Sequence, residues 1–553
     1  MYVKTKLLSS LDKVFLDEEP TQPAWTSMSM LKGETSSFQW VATVDEGSVF
    51  EAVISVESPL KEYIRVYTVG HVPSQFPAYA HSDDNFLRRT PGLYPDVLFP
   101  CEDGVFNLMG GQWRGVWIEI DLPDDAPAGI FPIRLCVKSI YDPQYFAEEE
   151  FTLHVLEAVL PKQTLICTEW FHCDCLSVYY NVPVFSEQHW TLMRNYMENA
   201  AHYGANMILV PVFTPPLDTQ VGGERPTVQL VDVNIVEDGY TFGFEKLDRY
   251  LDMAMNSGFS YFEISHLFTQ WGAGHAPKIV AHKDGMEVRL FGWETDAGSS
   301  EYLYFLNTFL TELKTFLNKK GVLDHCRFHV SDEPSSLTID SYARARNGVK
   351  DVLSDCCVMD ALSDISFYHD GLVPCPIPAL DHIEPFLSEG LSELWAYYCC
   401  CQTVDVSNRL MAMPSARNRI LGWQLYKYNV KGFLHWGYNF WFTALSKKAI
   451  NPYAVTDAGA LLPSGDPFIV YPGDDGRPVP SIRQLVFFDA LQDMRALQLL
   501  ESFMSHEEAV AWLDAECGYP LTFSKYPHDS RWLLDSRQKL NQKIDRLISN
   551  AKL

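Results

Sequence analysis

Eight short apolar runs recur between residues 165 and 436, and amphipathic stretches separate each run from the next. Apolar runs of this length, followed by helical patterns, are typical of parallel strands that are buried on both faces. Eight such units predict a (β/α)8 TIM-like barrel, in which the active site lies at the carboxyl ends of the strands. The runs are Leu165–Phe171, Met207–Phe213, Tyr261–Phe268, Phe328–Val330, Val358–Leu362, Leu372–Ile377, Leu394–Tyr398 and Gly432–Trp436.

The segments between these runs support the count. Apolar residues recur at helical spacing from Tyr302 to Leu317, and Gly321 ends the pattern, so a helix is predicted after the third strand. Asp238-Gly239 lies between two strand patterns, Val228–Ile235 and Tyr240–Phe244. This arrangement predicts a β-hairpin inserted in one loop of the barrel.

The N-terminal region has a different pattern. Val116–Leu122 alternates between apolar and polar residues, and a turn-forming cluster separates it from a second strand pattern, Phe131–Val137. Several such strands predict a β-sandwich domain over residues 1–160. The barrel is predicted over residues 161–480, and a C-terminal helical segment packed on the barrel over residues 481–553.

The composition excludes several classes of function. The chain has 553 residues, 47% of them hydrophobic, and 43 Lys and Arg residues stand against 71 Asp and Glu residues, for a formal net charge of −28. This balance argues against binding to nucleic acid or to an anionic membrane, because both select for basic surfaces. We see neither a signal peptide nor a transmembrane segment, so a soluble cytoplasmic protein is predicted. The oligomeric state stays open.

The cysteines indicate reduced thiols. Their number, 13, is odd, and several are too crowded for a regular disulfide framework. No Cys-x2-Cys pair is matched by a second pair or by spaced histidines, so we predict neither a metal site nor a cofactor. The crowded cysteines are Cys173, Cys175, Cys356, Cys357, Cys399, Cys400 and Cys401.

Ser331-Asp332-Glu333-Pro334 follows the fourth run and places two adjacent carboxylates where a buried strand ends. Adjacent strand residues point to opposite faces, so both carboxylates serve one site only if the chain bends here. Pro334 favours a bend, because it has no N–H group with which to continue the sheet. Two close carboxyl groups push their pKa values apart, which gives the acid and the anion that glycoside cleavage needs. The alternative is that this segment only ends a strand or caps the next helix.

Aromatic and polar residues collect at the ends of the other predicted strands. Such a mixture suits a sugar ring, which has apolar C–H faces and a fringe of hydroxyl groups. Asp218, Gln270 and Trp271 follow the second and third strands. For each residue the alternative is ordinary packing within the protein. The predicted substrate-binding residues are His172, Asp174, Tyr368, Trp395, Tyr397, Trp423, Trp436, Tyr438 and Asn439.

Four segments, in this order and spacing, carry a resemblance to a known family: Thr168–His172, Leu209–Thr219, Glu263–Gly272 and Ser331–Pro334. In these segments the chain resembles glycoside hydrolase family 123, the exo-acting β-N-acetylgalactosaminidases. The resemblance extends to the N-terminal strands. It implies a carbohydrate substrate, namely terminal β-linked GalNAc on glycans such as glycosphingolipid oligosaccharides.

The resemblance also implies a retaining, substrate-assisted reaction. In that reaction the 2-acetamido oxygen of the sugar attacks the anomeric carbon and gives an oxazoline intermediate, so neither carboxylate is the nucleophile. Asp332 would stay ionised, orient the acetamido group and stabilise the charge that develops on it. Glu333 would start protonated and act first as the acid and then as the base.

Three alternatives remain open from the sequence. The enzyme could prefer GlcNAc, because the choice depends on which group meets the 4-hydroxyl. It could use a conventional mechanism with two carboxylates on another sugar. The third alternative is a carbohydrate-binding protein without catalytic activity.

Overall fold

The computed structural model describes residues 3–45, 49–141 and 146–551. In the N-terminal part of these residues, ten strands form two five-stranded sheets, with the orders β1-β3-β8-β5-β6 and β2-β10-β9-β4-β7. Neighbouring strands are antiparallel, except that β2 and β10 run parallel. The strands are β1 (Val3–Ser9), β2 (Ser27–Lys32), β3 (Thr35–Val44), β4 (Val49–Glu57), β5 (Ile64–Ser74), β6 (Gly92–Pro100), β7 (Val105–Met109), β8 (Arg114–Asp121), β9 (Gly129–Ser139) and β10 (Phe146–Val159).

The two sheets pack face to face through aromatic side chains. The ring of Phe38 on β3 stacks on that of Phe151 on β10, with centroids 3.9 Å apart. The other face of the first sheet is also covered, because Glu119 on β8 is fully buried and accepts a hydrogen bond of 3.0 Å from the Tyr203 hydroxyl. The polar face predicted for β8 therefore packs against the second part of the chain instead of facing solvent.

Fourteen further strands occur in the described residues after position 165. Eight of them, β11, β12, β15, β18, β19, β20, β21 and β22, form one parallel sheet. The strands are β11 (Ile166–Glu169), β12 (Met207–Val210), β13 (Asp232–Val236), β14 (Gly239–Gly243), β15 (Tyr261–Ile264), β16 (Ile279–Lys283), β17 (Met286–Phe291), β18 (Cys326–Phe328), β19 (Cys357–Leu362), β20 (Cys375–Pro378), β21 (Trp395–Tyr397), β22 (Gly432–His435), β23 (Tyr471–Pro472) and β24 (Pro478–Val479).

The parallel sheet curls into a barrel. Its order is β20-β19-β18-β15-β12-β11-β22-β21, and a parallel bridge between Ala379 and Tyr397 joins the two ends. Each of the eight predicted apolar runs overlaps one of these strands. Carboxyl ends of parallel strands meet at one end of a barrel, so the residues after them share one surface.

Helices follow the barrel strands, but their lengths differ. The predicted helix after the third barrel strand is α4, which ends at Gly321 in a left-handed conformation with φ 78°. The helices α6 and α7, after the fifth and sixth strands, have only four residues each. The helices are α1 (Cys173–Tyr179), α2 (Glu187–His202), α3 (Glu245–Ser257), α4 (Ser300–Lys320), α5 (Ile339–Val349), α6 (Ser366–His369), α7 (Glu384–Leu387), α8 (Ser415–Arg419), α9 (Leu421–Lys427), α10 (Ile482–Glu501), α11 (His506–Cys517) and α12 (Ser530–Ala551), with 3₁₀ turns at Lys61–Tyr63, Leu323–His325, Ser336–Thr338, Leu380–His382 and Ala444–Ser446.

Two hairpins are inserted in the barrel loops and form one four-stranded sheet, β14-β13-β16-β17. The first, β13–β14, is the predicted hairpin, although its first strand begins at Asp232. The second, β16–β17, was not predicted. Asp284-Gly285 joins its strands, and this pair is a strong hairpin signal that the sequence does contain.

The C-terminal helices join the barrel to the N-terminal sheets. Asp493 on α10 accepts hydrogen bonds from Arg419 Nε on α8 at 2.8 Å and from Arg537 Nε on α12 at 2.9 Å. Arg537 also contacts Glu34 in the N-terminal part at 2.8 Å, and α12 packs on β2 and β10. In the described part of the chain, no helix combines the length and the apolar character that a membrane span requires.

Candidate active site

Asp332 and Glu333 lie in one cavity of about 170 Å³ at the carboxyl ends of the barrel strands. The backbone φ of Glu333 is 42°, a left-handed conformation that is costly for a residue with a Cβ atom and that is frequent at functional sites. This turn brings two adjacent side chains to the same cavity. The lining residues are Trp170, Leu217, Asp218, Gln270, Trp271, Asp332, Glu333, Ala361, Tyr397, Cys399, Cys400, Leu434, Trp436, Leu462 and Asp466.

Neighbouring loops fix the backbone of the carboxylate pair. The backbone N–H of Trp271 donates to the carbonyl oxygen of Asp332 at 2.7 Å, and that of Glu333 donates to the carbonyl oxygen of Ala361 at 3.1 Å. Trp271 and Asp218 also have positive φ angles, 61° and 40°. Three lining residues therefore hold strained backbone conformations, which only a well-packed surrounding can maintain.

The cavity raises the pKa of both carboxyl groups. Burial raises the pKa of Asp332 well above its usual range, and the adjacent Glu333 carboxylate raises it further. Burial also raises the pKa of Glu333, but a hydrogen bond from the Tyr397 hydroxyl lowers it in part. Among the described residues, no group donates a hydrogen bond to the Asp332 carboxylate. The Tyr397 hydrogen bond therefore favours the anion of Glu333, and no described residue does the same for Asp332.

A buried polar layer supports the pair from inside the barrel. His329 Nε2 lies 2.6 Å from Glu263 Oε1, and its Nδ1 lies 3.0 Å from Asp360 Oδ1. Burial alone would lower the pKa of His329, but the hydrogen bonds and charges of Asp360 and Glu263 outweigh it and raise the pKa to about 10. Asp360 also accepts hydrogen bonds from the backbone N–H groups of Val330 and Ser331. The imidazolium layer thereby positions the segment that carries Asp332.

A further acidic group enters the cavity from the loop after β22. Asp466 is fully buried, and its Oδ2 accepts a hydrogen bond of 3.0 Å from Trp436 Nε1. Its Oδ1 has no hydrogen-bond partner among the described residues, and His435 Nε2 lies 3.8 Å from it. Burial raises the pKa of Asp466 to about 8. Gly437 permits this approach, because a Cβ atom there would lie 2.6 Å from the carbonyl oxygen of Asp466. The free oxygen suits a hydroxyl group of a ligand.

The second and third barrel strands contribute two more polar side chains. Asp218 Oδ2 accepts a hydrogen bond of 2.9 Å from the backbone N–H of Leu445. Gln270 Nε2 donates to the carbonyl oxygen of Thr219 at 3.0 Å, and its buried Oε1 has no partner in the described residues. Together with the rings of Trp170, Trp271 and Trp436, these groups give the mixture of aromatic and polar contacts that a sugar needs.

The sequence model of the glycoside hydrolase 123 catalytic domain matches residues 170–500, the region that holds this cavity. The chain belongs to glycoside hydrolase family 123. Its protein class is therefore that of the glycosidases, and the predicted family is confirmed. No curated protein matches the chain.

Among solved structures, the family 123 fold extends over the whole chain. A family 123 glycoside hydrolase from Clostridium perfringens, studied for glycolipid glycan hydrolysis, covers 100% of this chain and 99% of its own at a TM-score of 0.77, with 14% sequence identity. The likeness shows a common fold for the N-terminal sheets, the barrel and the C-terminal helices. The N-terminal domain of PorA covers 28% of this chain and 99% of its own at a TM-score of 0.16, with 6% identity.

Of the substrate-binding residues predicted for this family 123 chain, Tyr397 and Trp436 line the cavity. The Tyr397 hydroxyl donates to Glu333 Oε1 at 2.6 Å. The Trp436 side chain reaches Asp466. Both residues lie at the carboxyl ends of barrel strands, as the eight-strand pattern predicts.

Three predicted residues support the cavity wall instead of lining it. Arg225 pairs with both carboxylate oxygens of Asp174 at 2.7 Å and donates to His172 Nδ1 at 3.1 Å. His172 Nε2 then contacts the carbonyl oxygen of Trp436 at 2.9 Å. Burial lowers the pKa of His172 to about 3, so the ring is neutral. Asn439 bonds the backbone of His172 at 2.8 Å and 3.2 Å, and is itself fully buried.

The other predicted residues lie farther from the cavity. Tyr438 is buried with its hydroxyl on Asn199, at 2.9 Å, and packs the barrel against α2. Trp395 is buried at the amino end of β21. Its ring covers Gly432 of the neighbouring strand β22, where the Cβ atom of any other residue would collide with the ring. The remaining two, Trp423 on α9 and Tyr368 on α6, do not line the cavity; Trp423 Nε1 donates to Asp493 at 3.0 Å.

Asp466 is a carboxylate in the cavity lining that sequence reasoning missed. It lies more than 30 positions after the start of β22, in a loop with the sequence Pro463-Ser464-Gly465-Asp466-Pro467. Such a sequence indicates a turn and gives no sign of burial. The carboxyl group reaches the barrel because this loop folds back and packs against Gly437.

Proposed function

We propose that the protein is an exo-acting, retaining β-N-acetylgalactosaminidase that removes terminal β-linked GalNAc from glycans by substrate-assisted catalysis. The observation that carries the proposal is the pairing of Asp332 and Glu333 in one cavity, where none of the described residues donates a hydrogen bond to the Asp332 carboxylate. The N–H of a 2-acetamido group is a donor of the required kind. The Clostridium perfringens enzyme was studied for glycolipid glycan hydrolysis, and we extend this substrate class to the present chain.

Substrate binding sets the position of the proton between the two carboxyl groups in this proposal. The acetamido N–H donates to Asp332 and favours its ionised form, so its pKa falls. The proton of the pair then resides on Glu333. Because the two carboxyl groups share one proton, the substrate itself prepares the acid for the first step.

The reaction then proceeds in two steps. In the first, the acetamido oxygen bonds to the anomeric carbon, the glycosidic C–O bond breaks, and Glu333 gives its proton to the departing oxygen. Asp332 stabilises the positive charge on the oxazoline-like intermediate. In the second step Glu333 takes a proton from water, the water oxygen bonds to the anomeric carbon, and the acetamido group is released with retention of configuration.

The remaining lining residues hold the sugar in the proposal. Asp466 Oδ1 and Gln270 Oε1, which lack hydrogen-bond partners among the described residues, receive ring hydroxyl groups. The rings of Trp170 and Trp436 cover the apolar C–H faces. A free buried oxygen rejects a sugar that cannot bond to it, because the oxygen is then left unpaired.

One assay separates the candidates. Hydrolysis rates are measured on nitrophenyl β-GalNAc, β-GlcNAc and β-Gal, with and without the thiazoline analogue of GalNAc. The proposal expects turnover of the GalNAc substrate and competitive inhibition by the thiazoline. Faster turnover of the GlcNAc substrate would reassign the sugar, and turnover of all three substrates without thiazoline inhibition would exclude the substrate-assisted mechanism.

A conventional mechanism is the second candidate, because Asp218 and Asp466 also line the cavity. A carboxylate nucleophile would form a covalent glycosyl-enzyme. Mass spectrometry of the protein after reaction with a 2-fluoro glycoside tests this, since the substrate-assisted mechanism leaves the chain unlabelled. Binding of glycans without turnover of any aryl hexosaminide would instead favour a carbohydrate-binding protein.

For the fold, we propose the (β/α)8 class for the barrel. The eight parallel strands and the helices between them support this class, while the four-residue helices α6 and α7 depart from it. We keep the predicted boundaries: sheets over 1–160, barrel over 161–480 and helices over 481–553.

A further inference from the structure

Cys399, Cys400 and Cys401 bring three thiol groups together at the edge of the cavity. Consecutive strand residues point in alternate directions, so three consecutive sulfur atoms meet only where the chain turns. β21 ends at Tyr397, and Cys400 and Cys401 lie in a turn directly after it. The three Sγ atoms lie within 4.8 Å of one another, and those of Cys400 and Cys401 are 3.6 Å apart.

This spacing matches a thiolate metal site. Zinc binds thiolate sulfur at about 2.3 Å, and two sulfurs on one tetrahedral ion are then about 3.8 Å apart. Cys401 is exposed, whereas Cys399 and Cys400 are half-buried and line the cavity. An ion can therefore arrive from solvent and reach the two inner sulfurs.

The surroundings also favour a cation. The cavity edge carries Glu333, and Asp381 accepts a hydrogen bond of 3.0 Å from Gln402, the residue after the three cysteines. The whole chain has a formal net charge of −28. Soft thiolate ligands select thiophilic metals over Mg²⁺ or Ca²⁺.

We propose that Cys399, Cys400 and Cys401 bind one thiophilic d¹⁰ cation of the Zn²⁺ and Cd²⁺ class, and that the bound cation inhibits the enzyme. Each ligating thiol releases its proton to solvent and donates a sulfur lone pair to the ion, so no oxidation or reduction occurs. Three sulfurs leave a fourth position open for water. The sequence did not predict this site, because consecutive cysteines do not have the spacing of known zinc motifs.

Inhibition follows from the position of the sulfurs. Cys399 and Cys400 belong to the same wall as Tyr397, which bonds Glu333. A cation and its water at this wall occupy part of a cavity of only about 170 Å³. The metal therefore competes with the substrate, and it raises KM more than it lowers kcat.

Metal binding is tested on the reduced full-length chain without reference to activity. Cd²⁺ is titrated into the wild type, Cys401→Ser, Cys400→Ser and Cys375→Ser, and the ultraviolet charge-transfer band of cadmium thiolate is recorded. Cys375 belongs to the matched control cluster, in which its Sγ lies 3.2 Å from that of Cys357 and near Glu393. We expect one tight Cd²⁺ per wild-type chain, unchanged binding in Cys375→Ser, and at least about tenfold weaker binding in the other two variants.

Two results would overturn the site. One is the lack of a stoichiometric band in the wild type, and the other is a band that disappears in Cys375→Ser but persists in Cys400→Ser and Cys401→Ser. Cys401 is exposed, so its serine variant keeps the fold, which near-ultraviolet circular dichroism verifies.

Inhibition is then measured as the fraction of each variant's own activity that Cd²⁺ removes on nitrophenyl β-GalNAc. We expect the wild type to lose activity at the concentration that fills the site, and Cys401→Ser to need at least about tenfold more Cd²⁺. Stoichiometric binding without inhibition would overturn the inhibitory role. This readout rests on the proposed function, but the absorption band does not, so the failure of either proposal is distinguishable.

Discussion

Tyr397 donates a hydrogen bond to Glu333 across 2.6 Å. The two residues follow different parts of the barrel, since Tyr397 ends β21 and Glu333 follows β18. Burial raises the pKa of the Tyr397 hydroxyl well above its usual range, and the Glu333 carboxylate raises it further, so Tyr397 remains the donor at working pH. This contact favours the anion of Glu333 and thereby tunes the group that we propose as the acid.

Removal of this hydrogen bond should move the pH profile. In Tyr397→Phe the pKa of Glu333 rises, because a bond that stabilises its anion is lost. The acid is active while protonated, so the alkaline limb of kcat/KM should shift upward by about one to two pH units, as a hydrogen bond to a charged group contributes about 1.5–3 kcal/mol. Rates measured on nitrophenyl β-GalNAc across the pH range test this; an unshifted alkaline limb would contradict the assignment of Glu333.

The two carboxylates should respond differently to the leaving group. Asp332→Asn and Glu333→Gln should each lose at least about a hundredfold in turnover, the usual contribution of one positioned acid or base. With a nitrophenyl leaving group, which needs little protonation, Glu333→Gln should lose less in the first step than with an alkyl glycoside. Asp332→Asn should lose equally on both. Asp324→Asn, an exposed carboxylate before β18, is the control and should keep full activity.

The sequence predicts the barrel well because strand periodicity is a local property. All eight apolar runs overlap a barrel strand. Asp332 and Glu333 reach the cavity because residues that follow the carboxyl end of a barrel strand lie at the surface where the cavity forms. The hairpin at Asp238-Gly239 was found by the same local logic. The hairpin at Asp284-Gly285, which was not predicted, carries an equally strong local signal in its turn sequence.

The substrate-binding residues were harder to predict, because side-chain direction depends on neighbouring strands. Trp395 and Tyr397 lie two residues apart on β21 and both point into the barrel, yet only Tyr397 reaches the cavity. Trp395 lies two residues closer to the amino end of the strand, where its ring packs on Gly432. Asp466 needs the path of a long loop, which no periodicity describes.

Two tryptophans provide a direct test of these placements. Trp436 lines the cavity, whereas Trp423 on α9 is fully buried and donates a hydrogen bond to Asp493 on α10. Trp436→Phe should raise KM several-fold, because it removes the N–H that holds Asp466. Trp423→Phe should lower the melting temperature and leave KM unchanged. A raised KM in Trp423→Phe at a temperature where the protein is folded would contradict its placement away from the sugar.

The buried imidazolium makes stability depend on alkaline pH. The folded-state pKa of His329, about 10, lies above the ordinary value of about 6.5. Its stabilising contribution is therefore complete below about pH 6.5 and is lost as the pH rises toward 10. The melting temperature of the wild type should fall between pH 7 and 10. His329→Gln should melt lower at pH 7, by the equivalent of about 3–5 kcal/mol for a broken buried ion pair, and should change less with pH.

Among single residues, Asp493 should contribute most to the stability of the interface between the barrel and the C-terminal helices. Burial alone would raise its pKa, but Arg419 and Arg537 outweigh this effect and lower it. Asp493→Asn leaves two buried guanidinium groups poorly paired, so we expect a loss of about 3–5 kcal/mol. Asp535→Asn breaks an exposed pair with Arg531 and should cost at most about 1 kcal/mol.

Because the pKa of Asp493 is depressed, its contribution to stability is present above about pH 4 and is lost below it. The melting temperatures of wild type and Asp493→Asn should therefore converge as the pH falls, and a gap that stays constant down to strongly acidic pH would exclude an ionic origin.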